Sequence, residues 1–142
     1  MLQVKQDIAE ITATELMSPD ELQQRQTPLV IRGLVTNWPL VAAARQSVQS
    51  AADYLRRFSK QLPVQAFFAP AEAKGRFFYT EDLNGLNFTQ QHTTLEQVLA
   101  QILQQDVAGT CYMGSTTLDY CVPGLKAENP LPLALPDSLI SL

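Results

Sequence analysis

Apolar and polar residues alternate along this chain in short blocks, some of strand period and some of helical period, with no internal repeat. Val4 to Ile11 predicts a short edge strand anchored by Ile8 and Ile11. Ser18-Pro-Asp-Glu21 places a capping serine, a proline at the first helical position and a glutamate three residues on. That signature predicts a helix over Pro19 to Arg25, ended by Thr27-Pro28. Leu29-Val-Ile31, closed by Arg32-Gly33, is apolar and β-rich, so it predicts a buried strand. Thr36-Asn-Trp-Pro39 marks a turn and Leu40 to Arg45 a helical turn. A second helix opens at Ser50-Ala-Ala-Asp53, with Tyr54, Leu55 and Phe58 at helical spacing. Arg56, Arg57 and Lys60 near its C-terminal end complement the helix dipole.

The second half alternates strands and helices. Pro63 to Pro70 predicts a strand, Ala71 to Gly75 a turn, and Arg76-Phe-Phe-Tyr79 the returning arm of a hairpin. Phe67, Phe68, Phe77, Phe78 and Tyr79 are then expected in the hydrophobic core. Thr94-Leu-Glu-Gln97 is another capping box, and Leu95, Val98, Leu99, Ile102 and Leu103 share one helical face. Gly109 to Ser115 predicts a strand, and the proline-rich stretch Val122 to Pro136 an extended segment. Ser138-Leu-Ile-Ser-Leu142 reads as the start of a further strand, so the remaining strands are expected beyond Leu142. The fold class is α+β.

Composition narrows the choices. A length of 142 residues suits one domain, and 46% apolar with 17% charged residues suits a folded one. A net charge of -4 argues against a nucleic-acid partner, which needs a basic stripe to displace counterions. No window approaches the roughly 18 consecutive apolar residues of a membrane span, and the N-terminus lacks a signal-peptide core. No membrane partner and a cytoplasmic location are therefore expected. The chain has one histidine, His92, and two cysteines, Cys111 and Cys121. It cannot supply the two histidines and one carboxylate of a facial-triad iron site. The cysteines do not form a Cys-x-x-Cys pair and read as reduced, buried thiols. His92, in the polar run Thr89 to Thr94, reads as an exposed loop histidine. Glu72, Glu81 and Asp82 read as solvated turn residues, and no phosphate-binding glycine loop occurs.

The most suggestive chemistry lies in Gly109 to Thr117. Strand alternation points Tyr112 opposite its neighbours Cys111 and Met113, and Ser115, Thr116 and Thr117 follow with three hydroxyls. A buried tyrosine hydroxyl beside threonines can hold a ligand carboxylate by neutral hydrogen bonds. The alternative is a tyrosine that serves only packing.

Thr27-Pro-Leu-Val-Ile-Arg-Gly33 followed by Asn37-Trp-Pro39 resembles the opening of the cupin-like, JmjC-type oxygenases. Arg76-Phe-Phe-Tyr-Thr80, Leu86-Asn-Phe88, the helix Leu95 to Gln104 and Cys111-Tyr-Met-Gly-Ser-Thr-Thr117 continue the series in the same order. The resemblance spans about residues 25 to 142 and is similar to the branch containing the asparaginyl hydroxylase of hypoxia-inducible factor. It implies a double-stranded β-helix, iron(II), 2-oxoglutarate and hydroxylation of a protein side chain or a small substrate. It implies iron ligands of the type His-x-Asp…His in the second half of the domain. Residues 1–142 would then be the N-terminal helices and first strands of one incomplete barrel, inactive and without tightly bound cofactor by itself. Its first partner would be the remaining C-terminal half, with homodimerisation as a further option. Tyr112 matches the family tyrosine that contacts 2-oxoglutarate, and Thr116 falls near a hydroxyl position of that branch. Where the asparaginyl hydroxylase has glutamine two residues after the tyrosine, this chain has Gly114. The competing class is a non-catalytic α+β module that binds a protein through an unpaired C-terminal strand.

Overall fold

A computed structural model describes residues 7–104 and 108–133. The chain divides into two compact units, one formed by the residues up to Trp38 with the segment from Pro130, the other by Pro39–Asn129.

In the first unit, strand β1 (Ala9–Thr12) pairs in parallel with β2 (Leu29–Arg32), Ala9 opposite Leu29 and Thr12 opposite Arg32. Helix α1 (Pro19–Gln24) lies between them in sequence. Its cap is the one the sequence predicts. The Ser18 hydroxyl accepts from the Glu21 amide, and the Glu21 carboxylate accepts from the Ser18 amide at 2.8 Å. Those serine donors hold the Glu21 carboxyl below its ordinary pKa. The strand expected over Val4 to Ile11 is shifted to Ala9–Thr12, with Ile8 exposed, and residues 1–6 lie outside the described residues. Leu29, Val30 and Ile31 are half-buried rather than buried. A two-stranded sheet covers a strand too sparsely to bury it. Arg32 clasps the Glu10 carboxylate with two guanidinium nitrogens, at 2.6 and 2.9 Å. The Trp38 indole donates to the Pro130 carbonyl at 2.8 Å.

The second unit holds the core. Helix α2 (Pro39–Gln46) precedes α3 (Val48–Arg56), which is capped by Ser47 and not by Ser50 as its sequence suggests. Strand β3 (Pro63–Ala69) is the middle of an antiparallel sheet between β4 (Thr89–Thr94) and β5 (Thr110–Met113). Helix α4 (Leu95–Leu103) follows β4 directly, with the predicted box on Thr94 and Gln97. Two short helices, α5 (Leu118–Cys121) and α6 (Leu125–Glu128), close the unit. Val64 and Ala66 of β3 pack with Ala52 and Tyr54 of α3, Leu95, Val98 and Leu99 of α4, and Cys121, Val122 and Leu125.

Three expectations need correcting. The hairpin partner of β3 is β4, not Arg76 to Tyr79, which lie in a loop that includes an isolated bridge between Tyr79 and Leu86. The run Thr89-Gln-Gln-His-Thr-Thr94 has no apolar alternation because it is an edge strand that contributes little to the core. Its β-branched threonines still suit a strand. The five aromatics do not share one core either. Phe68 packs toward the helices, Phe67 and Phe77 each contact Tyr112 on the opposite side of the sheet, and Phe78 and Tyr79 are exposed. Val122 to Pro136 is not simply extended, since α6 forms within it where Leu125 reaches the core. The apolar run Ser138 to Leu142 lies outside the described residues.

Asn129 ties the end of this unit to its beginning. Its buried amide oxygen accepts from the Leu40 backbone N–H at 3.0 Å, an unpaired donor in the first turn of α2. Its amide nitrogen donates to the Tyr54 hydroxyl and to the Leu125 carbonyl, each at 2.9 Å. Tyr54 in turn donates to Glu128 at 2.8 Å, while Arg57 lies over the Tyr54 ring and pairs with the same carboxylate. Burial pushes the Tyr54 phenol up from its usual pKa.

Candidate functional site

The sheet register sorts the candidate residues onto one face. On β3, Val64, Ala66 and Phe68 turn toward the helices, which leaves Gln65 and Phe67 on the other side. Opposite Phe67 stand Gln90 on β4 and Tyr112 on β5. One row further, Gln65 stands opposite His92 and accepts the Gly114 amide at 2.8 Å. Cross-strand partners share a face, so Tyr112, His92, Gln65, Gln90 and Gly114 occupy the face away from the helices.

Tyr112 points opposite Cys111 and Met113, as alternation predicts, because those two pack against the helical core. It is 53% exposed, however, not buried. The helices of this unit pack on the other side of the sheet, and among the described residues the Tyr112 hydroxyl has no hydrogen-bond partner. Its ring is nonetheless held. It stacks on Phe67 at 5.9 Å between centroids, with planes 28° apart, and meets Phe77 at 5.9 Å with a 53° tilt. Phe88 completes a closed circuit, edge-on to Phe67 at 5.6 Å and to Phe77 at 5.4 Å.

Gly114 packs its bare backbone against the flank of this circuit. A Cβ there would stand 3.1 Å from the edge of the Phe67 ring. Thr116 lies half-buried between β5 and α5, and its hydroxyl makes no hydrogen bond among the described residues. His92 is exposed as expected, but it sits in β4 rather than in a loop. Strand spacing and rise place it about 12 Å from Tyr112 across the sheet, too far for a shared ligand atom.

The other candidates stay apart from this face. Glu72 and Glu81 are exposed, and Asp82 serves the loop tip. Hydrogen bonds from Thr80 and then Asn84 hold the Asp82 carboxyl below its usual pKa. Cys111 and Cys121 are free thiols, half-buried and buried, and burial raises both above the ordinary thiol range. A thiol so raised is a poor nucleophile at neutral pH. No three histidine, cysteine, aspartate or glutamate residues cluster as a metal site among the described residues. No described helix is long and apolar enough to cross a membrane.

Sequence reasoning does not single out Gln65, Gln90 or Phe88 for this face. Their placement follows from the pairing of β3 with β4, which the apolar pattern does not reveal. The available signal is the polar, β-branched composition of Thr89 to Thr94 next to a capping box.

No curated protein and no solved structure gives a significant match to the chain. The model of one family, described as a cupin-like domain, matches residues 14–139, which takes in β2, the three-stranded sheet and the aromatic face that carries Tyr112. Mixed helices and small sheets of this kind are compatible with that family, and with a match over most of its length the chain belongs to the cupin-like domain family.

Proposed function

We propose that this chain is the N-terminal part of a JmjC-type, iron(II)- and 2-oxoglutarate-dependent oxygenase that hydroxylates a protein side chain or a small substrate. The observation that carries this reading is the Tyr112 hydroxyl. It stands unpartnered on an open sheet face while its ring is fixed by Phe67 and Phe77. A phenol held in this way can donate to one carboxylate of 2-oxoglutarate, with Thr116 as a second hydroxyl from the same stretch. Family membership supplies the context, and the resemblance of the motif series to the JmjC-type oxygenases suggests the cosubstrate.

Iron does not fit this chain's own donors. A facial triad takes two histidines and a carboxylate, whereas the chain has His92 alone. In this reading the ligands belong to sequence downstream of Leu142, which completes the barrel and is the chain's first partner. Gly114 stands where the asparaginyl hydroxylase has glutamine, with its bare backbone against the Phe67 ring, so the substrate is expected to meet a different surface beside Tyr112.

The product of the native gene should convert 2-oxoglutarate to succinate in the presence of iron(II), and residues 1–142 alone should not. Succinate formation by the 142-residue chain would refute the placement of the metal half. In the native product, Tyr112→Phe removes one hydrogen bond to a charged group, worth about 1.5–3 kcal/mol. It should raise the 2-oxoglutarate Kd roughly 10- to 100-fold. The melting temperature should change little, because the ring contacts remain. An unchanged Kd would remove Tyr112 from the site.

A second reading, a non-catalytic interaction module, is favoured by one observation. Phe78, Tyr79, Leu83 and Leu86 are all more than half exposed on a single loop. Exposed apolar groups concentrated in this way mark partner-binding surfaces. A native product that binds no 2-oxoglutarate would favour it.

A further inference from the structure

A half-exposed tyrosine on an open sheet face has a choice of χ1 wells, and its own strand does not decide among them. Here part of the decision comes from outside the sheet. Of the two rings that hold Tyr112, Phe67 is its cross-strand neighbour, but Phe77 belongs to the loop between β3 and β4. That loop is locked at its base by one residue. The Asn87 side chain accepts from the Phe78 amide at 2.8 Å and donates to the Arg76 carbonyl at 2.9 Å. The Asn87 amide donates to the Phe78 carbonyl at 2.9 Å. These three bonds bracket Phe77 on both sides and immediately precede Phe88. At the tip, Thr80 and Gly85 bond to each other through backbone and hydroxyl, which keeps the arms together.

We propose that the loop Arg76–Phe88 is the positioning element for Tyr112, with Phe77 and Phe88 as positioning residues and Asn87 as the lock that sets them. The proposal rests on the reading of Tyr112 as a carboxylate donor, and it adds how that donor is aimed. The hydrogen bonds of Asn87 go to Arg76 and Phe78, not to Tyr112. It acts through the two phenylalanines. Without the lock, the Phe77 ring no longer selects one Tyr112 rotamer. Free choice among three χ1 wells leaves about one third of molecules competent and weakens apparent affinity about threefold.

The test uses the native gene product and two variants, Asn87→Ala, which removes the lock, and Phe77→Leu, which keeps the lock but removes the ring. Tyr112 ring proton resonances, assigned by their loss in Tyr112→Phe, report its packing through the ring currents of Phe67 and Phe77. Both variants should move these resonances toward those of a free tyrosine. Both should raise the 2-oxoglutarate Kd about threefold, leaving the methyl resonances of Val64, Val98 and Leu99 in place. Unmoved Tyr112 resonances in both variants would overturn the positioning role. Moved resonances with unchanged affinity would also overturn it, provided Tyr112→Phe does weaken binding. If Tyr112→Phe leaves affinity unchanged, the carboxylate reading is what fails. The resonance shifts then still decide whether the loop sets the ring.

Discussion

Gly109→Ala should destabilise the protein by about 3 kcal/mol or more, the largest effect expected of any single methyl group added to it. Gly109 enters β5 at φ +117°, a conformation that side-chain-bearing residues rarely adopt. A Cβ at this position would lie 2.5 Å from the Ala69 carbonyl oxygen and 3.5 Å from the Pro70 Cα. Both obstacles are backbone, so no rotamer change relieves them. Relief requires the start of β5 to leave the end of β3, where Thr110 stands opposite Ala69. Urea denaturation of the variant and the parent measures the difference. A loss below about 1 kcal/mol would mean that the close approach of these strands does not exist in solution. Gly85→Ala is the control. Its Cβ would meet only Thr80 side-chain atoms, at 3.7 and 3.8 Å, and should be tolerated.

Asn129→Ala is expected to cost about 2–3 kcal/mol. It strips the cap from the Leu40 amide and removes the bond to the Tyr54 hydroxyl. Tyr54 keeps its bond to Glu128, so the amide of Leu40 is the group left without a partner. Substitution of an exposed neighbour, Glu128→Gln, keeps an acceptor for Tyr54 and should cost less than half as much. Equal losses in the two variants would show that the charge of Glu128, not the amide of Asn129, holds the end of the unit. Thermal melts of both proteins in one buffer make the comparison.

What is local was legible. The boxes at Ser18 and Thr94 are read correctly because each is closed within four residues, by bonds between a hydroxyl, a carboxylate or amide, and the backbone. The apolar face of Leu95, Val98 and Leu99 is legible for the same reason, as period 3.6 needs no partner to be seen. The alternation of Cys111, Tyr112 and Met113 also holds, because a strand has two sides whatever it packs against. The exposure of Tyr112 was not legible, since cover is a property of what lies across a face and not of the strand itself. Arg76-Phe-Phe-Tyr79 has the composition of a strand, yet the bonds made by Asn87, nine residues or more away, turn it into a loop arm. The polar run Thr89 to Thr94 shows the converse. It is a strand because Pro63–Phe68 offers it an edge, and nothing within the run itself announces that. Gly114 stood out as a departure from the family pattern. That its bare backbone lies against the Phe67 ring is visible only in three dimensions.

The middle position of β3 governs the order in which the second unit can be completed. Both of its neighbours come later in the chain, β4 first and β5 only after α4 has intervened. During synthesis the Pro63–Phe68 segment can zip with Thr89–Thr94 as soon as those residues emerge. Its other edge, and the flat side of the Phe67 ring, must wait until Tyr112 has been made. Long-range pairings of this kind are slow to form, and an unpaired edge is open to the wrong strand meanwhile. The addition of β5 is therefore the step that covers the second edge of β3, and it delivers Tyr112 to Phe67 in the same movement.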